Sequence, residues 1–394
     1  MKFAIEKNRK AFILGNVIRQ FVTTEKIEGV NTAKRYVIIS DTHFGEAEAI
    51  LSNNKQVEIF SEKLKKYGAI NEFILLGDIF EFGTATAKEA ISDSVTFFDS
   101  LGDIKKTQKE DYNIDMKVIL MIGNHDHYII SECRKNVSNS NSNDFKSSLL
   151  FSRDQFSEVF NNIFGSSPET ERLTAVIDEI RYPEYVIQLS KSKKRILLRH
   201  GHHADKVQTG LAINAKVKKL ITGKYTEKDF EAGMTVYYPF TFYPHEAGGR
   251  IRRAFWKIRN FLNYLLIRKK IKNNRRISSR EEVMEGIDLL VRYKKLLDKN
   301  HNVKFDYFIF GHTHNACFCD YRMTDLDFKK AVESEDKKQE YYEFNIGIIN
   351  SGGWLDYKRD VETTKNYIVI DEDQIMLCSA DIDEPIKRKI LNKE

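Results

Sequence analysis

Cysteine is scarce in this chain. Cys133, Cys317, Cys319 and Cys378 are its only four cysteines in 394 residues, too few and too scattered for a disulfide framework. No Cys-x-x-Cys pair occurs, so a thiolate zinc site is not expected. Free thiols suit a reducing compartment. Long apolar runs are missing from the N-terminus as well. Ala11 to Ile18 is a short, interrupted stretch behind Lys2, Glu6, Lys7, Arg9 and Lys10, which reads as neither a membrane span nor a signal peptide. A cytoplasmic protein is the expectation. No internal repeat or long disordered tract is visible. Charge is plentiful but nearly balanced: 63 Lys and Arg face 57 Asp and Glu, for a net charge of +6. That mild basicity fits an anionic substrate or a negatively charged surface without requiring nucleic acid. A hydrophobic content of 41% is enough for a core.

Five short apolar runs each end in polar residues able to bind a metal. Tyr36 to Ser40 leads into Asp41-Thr42-His43, and Phe73 to Leu76 into Gly77-Asp78. Lys117 to Ile122 leads into Gly123-Asn124-His125-Asp126, and Ile196 to Leu198 into Arg199-His200-Gly201-His202-His203. Phe305 to Phe310 leads into Gly311-His312-Thr313-His314. Runs of this length, rich in Ile, Val and Phe, read as strands buried on both faces. Their polar ends then fall in loops at the carboxyl edge of a sheet, where open α/β sheets bind ligands. Oxygen and imidazole donors without thiolate suit Mn, Fe or Zn. Two such cations can clamp a phosphoryl group and turn bound water into hydroxide at neutral pH.

At these residues the sequence resembles the calcineurin-like metallophosphoesterase superfamily, whose motifs occur here in the family's order. The resemblance implies an α/β fold, a four-layer α-β-β-α sandwich of two mixed sheets, and two divalent metal ions with Mn expected and Fe or Zn as alternatives. It implies that Asp41, His43 and His314 bind one metal, that Asn124, His200 and His312 bind the other, and that Asp78 bridges them. His125 would serve the leaving-group oxygen, and Asp126 would help hold its loop. The implied reaction is hydrolysis of a phosphodiester or pyrophosphate by metal-activated hydroxide. The alternatives are a phosphomonoester or protein phosphatase, a metal-dependent nuclease, or a scaffold that has lost catalysis. Gly77-Asp78-Ile79-Phe80-Glu81 and Asn350-Ser351-Gly352-Gly353-Trp354 are similar to the branch that includes UDP-2,3-diacylglucosamine pyrophosphatase. That branch often has Arg where this chain has His125, and Asp where it has His202, so its substrate is not carried over.

Other readings stay open at this stage. His202 and His203 are alternatives to His200 as ligands, or could face the substrate, and Asp205 could orient one of them. One domain over residues 1–394 is expected, with an N-terminal extension over 1–35 and a helical insertion or cap over 206–300. No Asp or Glu occurs between Arg250 and Arg280. Within that stretch Phe255, Ile258, Phe261, Leu262, Leu265 and Leu266 share a helical face. The segment 250–272 therefore reads as a lid, a peripheral membrane contact or an ordinary packed helix. The expected substrate is a phosphate-containing small molecule or a lipid-linked phosphate, with nucleic acid less favoured. Helices are expected over Glu46–Tyr67 and Lys88–Leu101, a loop over Asn136–Ser148, strands over Glu343–Asn350, Tyr367–Asp371 and Gln374–Ser379, and a solvated tail from Lys387.

Overall fold

The computed structural model describes residues 34–138, 149–202, 305–314, 316–322, 345–356 and 364–391. The N-terminal extension up to residue 33, the insertion over 206–300 with its basic helix, His203 and Asp205 all lie outside the described residues. Apolar β-branched and aromatic runs form the strands, as their composition predicts. The first sheet contains β1 (Tyr36–Ile39), β2 (Glu72–Leu76), β3 (Lys117–Met121), β4 (Leu149–Ser152), β5 (Glu179–Tyr182), β11 (Asn366–Ile370), β12 (Gln374–Ser379) and β13 (Lys387–Ile390). Its order is β13-β12-β11-β1-β2-β3-β5-β4. The second contains β6 (Glu184–Gln188), β7 (Arg195–Arg199), β8 (Tyr307–Phe310), β9 (Cys317–Arg322) and β10 (Asn345–Asn350), in the order β6-β7-β8-β10-β9. Each sheet has a parallel centre and antiparallel edges. β1, β2, β3 and β5 run parallel in one, and β7, β8 and β10 in the other.

Alternation of side chains sorts the core into two layers. Ile38, Ile74, Leu76, Ile119 and Met121 point from the first sheet into one cluster with Ile187, Ile196, Leu198, Ile309 and Ile349 from the second. The two sheets thus pack face to face. On its other face the first sheet turns Val37, Ile39, Phe73, Leu75, Val118 and Leu120 towards the helices. Those helices are α1 (Asn54–Lys65), α2 (Ala87–Tyr112), α3 (His127–Ser138), α4 (Arg153–Phe164) and α5 (Pro168–Val176). The order helix, sheet, sheet is therefore in place. Among the described residues the helices all join the core on the outer face of the first sheet. Among the described residues no helix is long and apolar enough to cross a membrane.

Several element boundaries differ from expectation for local reasons. α1 starts at Asn54, not Glu46, because Asn53 caps it by accepting from the Lys55 N–H. The preceding residues are instead tied elsewhere, with the Ile50 N–H donating to the Trp354 carbonyl at 2.8 Å. α2 runs on past Leu101 to Tyr112, started by a Thr86–Glu89 capping box and ended by left-handed Asn113. α3 reaches Ser138, so helix occupies the first residues assigned to a loop. Lys387–Ile390 is mostly exposed, as expected of a solvated end, but it is an edge strand on β12 rather than a free tail, and its lysines discourage further strand pairing. Ile119 is fully buried between the sheets. Ile119→Ala should lower unfolding free energy by about 2–5 kcal/mol, measured by chemical denaturation; a loss below about 1 kcal/mol would contradict the face-to-face packing.

Candidate metal centre

Parallel strands deliver their carboxyl ends to one edge, and the loops found there carry the polar motifs. The loop after β1 zips onto the loop after β2. Asp41 N–H donates to the Gly77 carbonyl, His43 N–H to that of Asp78 and Phe44 N–H to that of Ile79, at 2.8–3.0 Å. Asp126, after β3, accepts from the Gly123 N–H at 2.6 Å and the Ile79 N–H at 2.8 Å. Asp41 reaches across to the second sheet, where the His312 N–H donates to both of its carboxylate oxygens at 3.0 Å. The Gly123–Asp126 bond closes the loop after β3 on itself, and the others join loops distant in sequence. Together they gather the motifs into one buried cluster.

Among the described residues four overlapping groups of donor atoms form, one of them joining His43 and Asp78 to His125 and another joining His43 to Glu46 and Glu81; the remaining two take up the residues read from the motifs as ligands. In one, His43 Nε2 lies 3.1 Å from His314 Nε2, and Asp41 Oδ1 lies 3.2 Å from His314 Nε2. In the other, Asp78, His200 and His312 converge, and Asn124 Oδ1 lies 3.3 Å from His200 Nε2. Asp78 stands between the groups, with Oδ2 3.0 Å from His200 Nε2 and 3.9 Å from His43 Nε2. The other oxygen of Asp78 accepts from the His125 N–H at 2.8 Å. Every residue read from the motifs as a ligand therefore falls in this cluster. His202 is buried beside it, with its ring centroid 5.4 Å from that of His200 and 6.4 Å from that of His312. Among the described residues it joins none of the groups whose donor atoms lie within 4.8 Å of one another.

The donor set fits divalent cations on its chemistry. Two imidazole nitrogens face each other at 3.1 Å beside a carboxylate, an arrangement that a cation between them would favour. The far nitrogens of two rings are also engaged. His43 Nδ1 is 3.0 Å from Glu81 Oε2, and His200 Nδ1 is 2.9 Å from the Leu76 carbonyl oxygen. Such bonds fix the tautomer and turn Nε2 towards a metal. Burial works to raise the Asp78 carboxyl, but His200, His125 and His43 outweigh it and hold it well below the usual carboxylate range. Burial likewise opposes a charge on His125, yet the Glu81 and Asp78 carboxylates push its imidazole up to about 10.

Glu81, at the end of the Gly77-Asp78-Ile79-Phe80-Glu81 run, has a role that its sequence context does not reveal. It is 1% exposed, one of its oxygens lies 3.0 Å from His43 Nδ1 and 2.5 Å from His125 Nδ1, and the other accepts from the Gly83 and Thr84 N–H groups. Its position three residues after Asp78 was the available signal. Half-buried Glu46 lies beside it, its carboxyl pushed up to about 7 by burial and then by Glu81.

A family model described as calcineurin-like phosphoesterase matches residues 34–316. The chain belongs to that family. It is thus a metallophosphoesterase, a hydrolase of a family that uses divalent metals. The match identifies the family as a whole and no branch within it. No curated protein matches the chain. The solved structure of Yfce, a phosphoesterase from E. coli, is similar at 13% identity, covering 91% of this chain and 100% of that one, with a TM-score of 0.34, a likeness too slight to carry argument.

Glycine is needed where the loops of this phosphoesterase touch. A Cβ on Gly123 would lie 2.1 Å from Asp78 Oδ1, and one on Gly311 would lie 2.4 Å from Asp41 Oδ2. The Cβ on Gly123 would also lie 2.5 Å from the Asp78 backbone nitrogen, so Gly123→Ala should displace the Asp78 carboxylate and the loop that carries it, with circular dichroism reporting whether the sheets stay folded. Cleavage of bis-p-nitrophenyl phosphate should fall roughly 100-fold, because misplacement by about 1 Å costs that much. Wild-type turnover in this variant would contradict the contact.

Proposed function

We propose that this phosphoesterase hydrolyses a phosphodiester or pyrophosphate bond at a pair of divalent metal sites, with Mn the expected metal and Fe or Zn the alternatives. The observation that carries the proposal is the place of Asp78, whose carboxylate lies between two separate sets of donors. In this reading Asp41, His43 and His314 hold the first metal, Asn124, His200 and His312 hold the second, and Asp78 serves both. A metal pair of this kind supplies Lewis acidity and a nucleophile at neutral pH. The expected substrate is a phosphate-containing small molecule or a lipid-linked phosphate.

The chain's own residues supply orientation and the proton. His125 follows directly on Asn124, and its side chain is 27% exposed, so its ring is accessible to a bound ester. Glu81 stabilises the protonated ring and fixes its direction. His125 can therefore donate a proton to the departing oxygen, which would otherwise leave as an unprotonated alkoxide. Because Glu81 also contacts His43, one carboxylate orients both a metal ligand and the proton donor.

Metal-stripped protein tested on bis-p-nitrophenyl phosphate and p-nitrophenyl phosphate, with and without Mn(II), checks the proposal. Manganese-dependent cleavage favouring the diester is expected, and Asp78→Asn and Asn124→Ala should abolish it. Unchanged turnover in both variants would sink the metal assignment, whereas preference for the monoester would replace the diester reading with a phosphatase. His125→Gln gives a separate check. On an alkyl phosphodiester, whose leaving group needs a proton, the rate should fall roughly 10²–10⁴-fold. On the p-nitrophenyl ester, whose leaving group needs none, the loss should be much smaller. Equal losses on the two esters would remove His125 from the role of acid.

A further inference from the structure

Among the described residues, the end of β10 and the segment 351–356 carry none of the grouped donor atoms, yet they hold the residues that do. Asn350 ends β10 opposite Phe310 in parallel register, directly beside the Gly311-His312-Thr313-His314 loop. It is fully buried. Its Nδ2 donates to the Gly311 carbonyl at 3.0 Å and to Thr313 Oγ1 at 2.8 Å. Its Oδ1 accepts from the Gly352 N–H at 2.7 Å. Both amide hydrogens and the carbonyl are thus used. Further along, Ser351 Oγ meets Ser40 Oγ at 2.6 Å, and the Trp354 N–H donates to the Asp41 carbonyl at 3.0 Å.

Backbone strain explains why such support is needed. Asp41, His43, Asp78, His312 and His314 all have positive φ, between 48° and 70°. A side chain in this left-handed region is strained and persists only where its surroundings enforce it. His312 and His314 flank Thr313 and belong to different donor groups. The amide of Asn350 spans Gly311 and Thr313, so it constrains the turn that separates those two histidines.

We propose that Asn350 is a positioning residue that sets the relative placement of His312 and His314, and through them the spacing of the two metal sites. The proposal rests on the two-metal reading above. An aspartate here would face the Gly311 carbonyl with an oxygen and lose that bond. An alanine would leave the Gly311 carbonyl and the Gly352 N–H without this partner in a buried place, and the partly buried Thr313 hydroxyl without it as well.

The test uses the full chain as wild type, Asn350→Asp, Asn350→Ala and Thr313→Val, each stripped of metal. Mn(II) binding is measured by calorimetry, the visible spectrum is recorded on titration with Co(II), and circular dichroism reports the fold. Both Asn350 variants should bind metal roughly 10–100-fold more weakly, the loss typical when a group that orients ligands from outside the ligand set is removed, and should show a changed Co(II) spectrum. Thr313→Val, which keeps the bond to Gly311, should show a smaller change in the same direction. Wild-type affinity and spectrum in folded Asn350 variants would overturn the proposal. If neither Asn350 variant folds, an unaltered Co(II) spectrum in Thr313→Val overturns it instead. A wild type that binds fewer than two metal ions would defeat the two-metal reading, and this proposal with it.

Discussion

One carboxylate has to be reached from two sheets. Asp78 leaves β2 of the first sheet, accepts a backbone N–H from the loop after β3, and meets the ring of His200 at the end of β7 in the second sheet. That meeting requires the sheets to pack face to face with their parallel strands ending at a common edge. The apolar layer between them, from Ile74 and Ile119 on one side to Leu198 and Ile309 on the other, is what holds the two edges together. Loss of packing far below the site therefore acts on the chemistry by separating the donors.

The same crowding accounts for the unusual backbone. Turning a side chain back towards the strand edge from the first loop residues places Asp41, His43, Asp78, His312 and His314 in the left-handed region. Asp and His tolerate that region better than branched residues do. Where loops cross most closely, only glycine fits, as at Gly123 against Asp78 and Gly311 against Asp41. Strain is offset by hydrogen bonds between loops from different strands, so the site is rigid only in the complete fold.

Charge is arranged by the same economy of space. Burial alone would drive the Asp78 and Glu81 carboxyls towards the neutral form, and the surrounding imidazoles reverse that tendency. Glu81 lies at the centre of this exchange because it faces His43 and His125 together. A proposed metal ligand, His43, and the proposed proton donor, His125, are consequently not independent of each other.

Much of this was legible in the chain itself. Apolar runs ending in Asp, Asn and His marked the strands and the edge at which they end, because a strand buried on both faces must be apolar throughout. Residue identity also determined the chemistry available, since carboxylate, amide and imidazole donors suit hard or borderline cations. The reach of α1 and the pairing of Lys387–Ile390 were not legible, since a cap and an edge partner decide them. Nor were the tasks of Glu81 and Asn350. A lone glutamate three residues from a motif, or an asparagine at a strand end, has many local uses. Only the folded chain brings Glu81 between two histidines and Asn350 beneath the loop that carries two more. Donor types are a property of the sequence; which donors meet is set by contacts between segments far apart in sequence, and these exist only after the two sheets have packed.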